Sequence, residues 1–318
     1  MKLLSMARSL LFRKRSPGNL SMREDSVKNE YADYHQYCSV DYGDYSTVEC
    51  ISANDTLPSQ STAPPPPDNI NHLILVNRSD GYLKFKALCG NRVIIDVINT
   101  SNYSPFLCGS VVDFAEVTGV ITDSFLLWLS AARVVTSLRI RDAKMVCRST
   151  IFYNTMHRIA LQSLSICRCF FSDAQILSDE LFSRNPQICM FEITSIDGRR
   201  QSFPLLTDRT LRGWCATGIP RKLLLHHVET SFTILGVRSL IEAGLRQRHS
   251  LSWSFGRICS TTEKSMNELE ECKNLYGDQL QILRIHRSYI HVISEVSPKM
   301  YVFFYTSVER PLEVDDLE

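Results

Sequence analysis

Gln187-Ile188-Cys189-Met190-Phe191-Glu192-Ile193-Thr194-Ser195-Ile196-Asp197-Gly198-Arg199-Arg200-Gln201-Ser202-Phe203-Pro204-Leu205-Leu206 is the stretch on which the reading of the fold turns. Residues 187–196 are rich in β-branched and aromatic side chains, which predicts a strand. Asp197-Gly198 is the best hairpin signal in the chain, because both residue types tolerate the left-handed backbone of a two-residue turn. Arg199–Leu206 then reads as the returning strand. Pro204 cannot donate a ladder hydrogen bond, so that return is expected at an edge or as an irregular strand.

Working outward, strand patterns dominate. His157–Phe171 is a strand candidate too long to be flat, so a bend is expected within it, and Lys144–Phe152 is another long candidate. Lys222–Leu235 reads as β, Arg238–Leu245 as a short helix and Ser250–Ile258 as a strand. Ser260 and Glu263 form a capping box that opens a helix through Tyr276, closed by Gly277. Gln279–Ile285, Tyr289–Ile293 and Tyr301–Ser307 follow as strands. On the other side, His72–Val76, Tyr82–Leu88 and Arg92–Ile98 read as a meander. Val111–Ile121 is ambiguous between states. Asp123 or Ser124 caps a helix to the region of Val135, with Phe125, Leu126, Leu129 and Ala132 at helical spacing. Ser172–Arg184 is polar and holds a short helical piece. No internal repeat is visible. The expected class is mostly β with a few helices (α+β), built as an antiparallel sandwich or jelly-roll-like core.

The ends differ from the body. Net charge over 318 residues is only +1, but the charges are segregated. Residues 1–15 hold five cations and no acid; residues 16–70 hold nine acids against Arg23 and Lys28; residues 309–318 hold five acids against Arg310. A basic body with acidic flanks suits an anionic partner, and solvated surface charge is the plain alternative. Residues 1–71 read as a disordered N-terminal region, basic, then acidic, then proline-rich. It ends in Ser61-Thr62-Ala63-Pro64-Pro65-Pro66-Pro67, a polyproline II linker or a ligand for aromatic grooves. Residues 72–308 form the expected β-rich core domain, and 309–318 an acidic tail. Arg8 breaks the apolar centre of residues 1–15, so no secretory leader or membrane span is read there. As a helix that stretch would suit a membrane-surface contact or a basic localisation signal; a disordered tail is the alternative.

Little in the chain points to catalysis. The phosphate-binding, dinucleotide, zinc-protease and nucleophile-elbow motifs are all missing, and no catalytic residue, metal or cofactor is expected. His226 and His227 are adjacent and would face opposite sides of a strand; His286 and His291 would do the same. The eleven cysteines contain no C-x-x-C pair, which suits reduced thiols. Cys167 and Cys169 share a strand face, but zinc needs two further ligands. From Arg133 to His249 there are 17 Lys and Arg against nine Asp and Glu, most of the cations being arginine. Phe152, Tyr153, Phe170 and Trp214 are interleaved with them. Guanidinium groups pair with phosphate and stack on bases, so single-stranded RNA bound without sequence preference is an expected partner. Arg199, Arg200, Arg212 and Arg221 are the candidate nucleic-acid-binding residues, because loops beside the hairpin let cations reach a backbone. A homo-oligomer is also expected.

The stretch from about Lys144 to Ser260 resembles the core of the 30K superfamily of plant virus movement proteins. The resemblance lies in an order of pieces. A hydrophobic strand, Arg158–Phe170, comes first, and then a strand ending in aspartate-x-arginine, Ile193-Thr194-Ser195-Ile196-Asp197-Gly198-Arg199. A loop and a long β region lead to Ser250-Leu251-Ser252-Trp253-Ser254-Phe255. The flanking residues fit the larger movement proteins of plant rhabdovirus-like negative-strand viruses. The resemblance implies a non-enzymatic protein that helps viral RNA or nucleocapsid through plasmodesmata. It implies residence in the host cytoplasm and at the cell periphery, with the nucleus as a further location. Asp197 matches the family aspartate. At a hairpin corner beside Arg199 it is expected to hold turn amides and a guanidinium rather than to do chemistry. The rival reading is a rhabdovirus-type matrix protein acting in assembly and budding. Its basic amphipathic N-terminus and proline-rich segment carry that resemblance, with Ser61-Thr62-Ala63-Pro64 close to a P-[ST]-A-P motif. An unrelated β-rich binding protein is the third.

Overall fold

The computed structural model describes residues 69–307 apart from 79–81, 90–91, 100–106, 196–199, 287 and 296–298. The expected disorder of the N-terminal region and the acidic tail at 309–318 lie outside the described residues. The elements run β1 (Asn69–Asn77), β2 (Tyr82–Cys89), β3 (Arg92–Asn99), β4 (Val111–Ile121), α1 (Asp123–Leu129), β5 (Val134–Met145) and α2 (Ser149–Arg158). Then come β6 (Ser163–Cys167), β7 (Phe170–Phe171), α3 (Asp179–Arg184), β8 (Met190–Thr194), β9 (Gln201–Thr207), α4 (Asp208–Thr217), β10 (Lys222–His226) and β11 (Val228–Ser231). The chain closes with α5 (Ile234–Gly244), β12 (Leu251–Thr261), α6 (Thr262–Tyr276), β13 (Gln281–His286), β14 (Tyr289–Ser294) and β15 (Met300–Ser307).

Strands dominate and helices accompany them, as the sequence implies. Their arrangement differs from an antiparallel sandwich. All the strands belong to one mixed sheet. Its centre is parallel throughout, in the order β1-β4-β5-β6-β8-β10-β12-β15. Antiparallel strands close both ends: β2 and β3 beyond β1, and β14 and β13 beyond β15. From β4 to β12, helices α1 to α5 carry the chain from one central strand to the next, and α6 leads from β12 into the antiparallel end at β13. The helices pack on one another in chain order, α1 through α6, as a single layer. The result is a strand–helix solenoid, in which each unit contacts chiefly its neighbours and the terminal hairpins cap the stack.

Two apolar ladders explain the stacking. Across the strands, Leu73, Ala115, Leu138, Leu164, Phe191, Leu223, Trp253 and Val302 stand in register. Leu75, Val117, Ile140, Ile166, Ile193 and Leu225 form a second row two residues on. All are buried. The first row faces the helices: the Phe191 ring lies 4.7 Å from that of Phe182 on α3, which in turn lies 5.0 Å from Trp214 on α4. A single side chain of this size contributes about 1.5–3 kcal/mol when fully buried. One strand of this kind cannot bury its ladder residues alone, so the units must stack.

Each unit bends just past the second row. Gly119, Asp142, Arg168, His227 and Gly256 all hold positive φ. After the bend, short segments pair again as a second strip, with β7 on β5 and β9 on β11. His157–Phe171 is not one strand: His157 and Arg158 close α2, and β6 and β7 follow with a bend at Arg168 between them. Two bends require glycine because chains approach closely. A Cβ at Gly119 would stand 2.0 Å from the Asn77 carbonyl oxygen, and one at Gly256 would stand 2.4 Å from that of Val228.

Several boundaries change as a consequence. Lys144–Phe152 is the end of β5 and the start of α2 rather than one strand. Its apolar run Met145-Val146-Cys147 ends in a helix start that Asp173 and Asp123 serve from other units. Lys222–Leu235 divides into β10, β11 and the first turn of α5. The helix before Gly277 is capped by Thr261, whose hydroxyl accepts from the Lys264 amide, rather than by Ser260. Ser260 instead accepts from the Ile234 amide at the start of α5. The hairpin is also absent: β8 and β9 do not pair with each other. β8 lies parallel between β6 and β10, and β9 pairs in parallel with β11 alone. The edge position inferred from Pro204 holds.

Candidate binding face

The helices cover one face of the central sheet. Alternate residues of each strand point the other way. The register aligns these as rows. One row runs Ile74, Glu116, Arg139, Ser165, Glu192, Leu224, Ser254, Phe303 and His291. Its neighbour runs His72, Phe114, Ser137, Ser163, Met190, Lys222, Ser252 and Tyr301. Met190 and Tyr301 are exposed here despite their size.

The two ends of this face differ in chemistry. At the β1–β5 end it is ionic. Arg141 pairs with Glu116 at 2.9 Å. The Arg139 guanidinium sits 5.5 Å from the Phe114 ring centre, and His72 meets the same ring edge-on at 4.9 Å. Lys84 and Lys86 on β2 are exposed beside them. At the β14–β15 end it is aromatic. His291 stacks on Phe303 at 3.9 Å, and Tyr289 stands 4.7 Å from Tyr305. Burial pushes the pKa of His72 down against the opposing charge of Glu116, and pushes His291 down to about 4. Both imidazoles are therefore neutral at pH 7, and the positive charge of the face is that of Lys and Arg.

The cysteines offer no activated nucleophile among those with shifted pKa values. Burial pushes Cys147 and Cys169 up to about 12 and Cys272 up to about 11, and raises Cys167 and Cys215. These sulfurs stay as thiols at neutral pH, and the thiolate is the reactive form. Among the described residues no group of three His, Cys, Asp or Glu is placed to hold a metal ion. Among the same residues no helix is long and apolar enough to cross a membrane.

The structure does not bring together the three described arginines of the four singled out from sequence, Arg200, Arg212 and Arg221. Asp197 and Arg199 lie outside the described residues. Arg200 leads into β9 and pairs with Glu229 at 3.6 Å. Arg212 is exposed on α4, in the helix layer. Arg221 precedes β10, where its amide donates to the Cys189 carbonyl. Arg200 and Arg221 thus mark opposite ends of the strand direction, since the Gln201 amide donates to His227 just past the end of β10. The residues missed are those between ladder positions, such as Arg139 in Leu138-Arg139-Ile140 and Glu192 in Phe191-Glu192-Ile193. Strict alternation about each apolar pair is the signal that marks them.

No family model, curated protein or solved structure matches the chain.

Proposed function

We propose that this chain is a non-enzymatic binding protein that holds a macromolecular partner on the uncovered face of its sheet. One observation carries the reading: a row of parallel strands, covered by helices on one side only, presents ionic and aromatic residues on the other. Solenoids of this kind present extended surfaces wide enough for a macromolecule, and conformational cost is low because the strands are already fixed. Substituting Met190→Asp and Tyr301→Asp together tests it. The double variant should keep its fold and lose partners recovered by affinity purification with the wild type. The exposed helix variant Leu275→Asp should retain them. Equal recovery by all three forms would refute the reading.

The viral movement reading is a narrower form of this proposal. Its structural support is one feature, the cluster of Tyr289, Tyr301, Phe303 and Tyr305 on the open face. Such a platform suits stacking of unpaired bases. Passage through plasmodesmata rests on the sequence resemblance, as does the matrix alternative. Binding of poly(U) across a salt series tests the RNA partner: affinity should fall with salt and with Tyr301→Asp.

A further inference from the structure

The open face steps down beside its aromatic end. Lys222, Ser252 and Tyr301 stand in register across it, and so do Leu224, Ser254 and Phe303 two residues on. The short serines of β12 thus lie between an aromatic wall on β15 and a longer aliphatic wall on β10. Those walls are two strand spacings, about 10 Å, apart. The aromatic wall is a file of rings. Phe303 stacks with His291 at 3.9 Å and with Tyr289 at 6.2 Å, so it presents its edge to the trough. Tyr301 ends the file and is exposed.

The polar side chains here can all donate, and they are available. Among the described residues the Lys222 ammonium and the hydroxyls of Ser252, Ser254 and Tyr301 have no hydrogen bond or ion pair. The edge of Phe303 is likewise the positive part of its ring. Glu192, the carboxylate of these rows between β8 and β15, lies beyond β10 and accepts from Ser165. One cation is a poor match for a polyanion. Donors beside an aromatic wall favour a ligand with carbonyl acceptors, apolar bulk and few N–H groups. Polyproline has that chemistry: each residue keeps its carbonyl, lacks the N–H and carries an apolar ring. Proline-rich segments also enter aromatic-lined grooves in a helix that is already formed. Four prolines in that helix span about 12 Å. Tyr301 to Tyr305 span about 13 Å at the rise of a strand.

The chain carries such a run, Pro64-Pro65-Pro66-Pro67, ahead of the first described strand. Its own trough is out of reach. β12 stands six strand spacings from β1, roughly 29 Å along the sheet. Pro64, five residues before Asn69, can extend at most about 17 Å from it. We propose that residues 64–67 of one copy dock in the trough between β10 and β15 of a second copy. The inference rests on the open-face reading and names one occupant of that face. The two surfaces in contact differ, so the association is heterologous and runs from copy to copy as an open chain.

The test is sedimentation of the full chain across a concentration series. Wild type should associate into species that grow beyond a pair. The combined variant Pro64→Ala, Pro65→Ala, Pro66→Ala and Pro67→Ala alters no residue of the sheet and should stay a monomer. Ser252→Gln with Ser254→Gln fills the trough and should also stay a monomer, its fold checked by circular dichroism. Tyr301→Ser, at an exposed position, is the milder form and should weaken association. A mixture of the proline variant with the trough variant should form pairs and stop there, because one proline run then meets one open trough. A wild type that stays monomeric overturns the inference, and so does a proline variant or a Tyr301→Ser form that associates as wild type does. Association abolished by ribonuclease would make RNA the bridge and overturn it as well. A monomeric wild type that still recovers partners through Met190 and Tyr301 would overturn the proline docking while leaving the open-face reading in place.

Discussion

The Asp179 carboxylate takes two hydrogen bonds from Thr207, one from its amide at 2.8 Å and one from its hydroxyl at 2.6 Å. Asp179 is the first residue of α3, and Thr207 is the N-cap of α4. The same hydroxyl accepts from the Arg209 amide, so the acid of one helix reaches the N-terminus of the next. One unit on, Asp208 repeats the arrangement with Thr233, at 2.7 Å to the amide and 2.6 Å to the hydroxyl. Asp123 serves the Arg148 amide ahead of α2 in the same way. Helix starts leave amide groups without internal partners and favour negative charge. Asp123, Asp179 and Asp208 thus each favour their own helix start electrostatically and hold the following helix in place.

Asp179 is the strongest test of this stitching, because Thr210 also donates its hydroxyl to it. Asp179→Ala strands three donors at a partly buried junction. It should cost about 2–3 kcal/mol. For a body of this size the corresponding fall in Tm is about 4–12 °C. Thermal denaturation followed at the helix band checks it, and a Tm within a degree or so of wild type would exclude the ladder as a stabilising device.

The ladder also leaves no room at one glycine. A Cβ on Gly236 in α5 would stand 2.4 Å from Asp208 Oδ1 and 2.9 Å from Leu211. Gly236→Ala should therefore destabilise the protein, although alanine favours helix by about 1 kcal/mol. A Cβ on Gly213 in α4 would meet no atom within 4 Å, so Gly213→Ala should stabilise by about 0.5–1 kcal/mol. Denaturant midpoints should move in opposite directions for the two variants.

Much of this was legible in sequence, element by element. The three closing strands and the helix ending at Gly277 follow from alternation and from a glycine at φ 58°. The unit itself was not legible. Its signature is a hydroxyl residue followed by aspartate at Thr122-Asp123, Ser178-Asp179 and Thr207-Asp208. An apolar pair flanking one residue follows, at Leu138 and Ile140, Leu164 and Ile166, Phe191 and Ile193, Leu223 and Leu225, Trp253 and Phe255. Successive pairs lie 26, 27, 32 and 30 residues apart, and that irregular spacing hides the period. Parallel strands buried by helices show short apolar runs, which read equally well as sandwich strands. The candidate site suffered from the same cause. Arg139 and Glu192 become neighbours of an open face only once the register is known, whereas Arg212 belongs to a helix that the alternation argument overlooked.

The titration of the open face gives a pH dependence. Burial holds His291 near 4 in the fold, against an ordinary value of 6.5. Between those values the unfolded chain binds a proton that the folded chain does not. Stability rises with pH across that window and is lost as the pH falls through it. His72, also lowered by burial, acts in the same direction. Asp123 is lowered chiefly by the Arg148 amide that donates to it, so its contribution is lost further down, below the ordinary carboxylate range. His291→Phe keeps a ring on Phe303 and removes the proton site. Its Tm should fall less steeply than that of wild type between pH 6.5 and 4, and parallel curves would refute the assignment.

The start of β1 sets the boundary of the folding unit. Asn69 pairs with Val111, and Ile70 with Val112, so the sheet uses the first described residues. Ile70, Leu73 and Leu75 are buried among β2, β4 and the core. Removal of residues 1–68 should leave a cooperative thermal transition, because β1 and its ladder pairs remain. Removal of residues 1–77 takes away the strand that joins β2 to β4. Three buried aliphatic side chains go with it, at about 2–5 kcal/mol each when deleted from a core. The exposed edge of β4 would then present unpaired backbone groups, a template for association. Circular dichroism melts with light scattering should show a sharp transition for the shorter deletion and aggregation or a broad loss of signal for the longer one. A shorter deletion that melts without cooperativity would mean that residues before Asn69 belong to the folding unit.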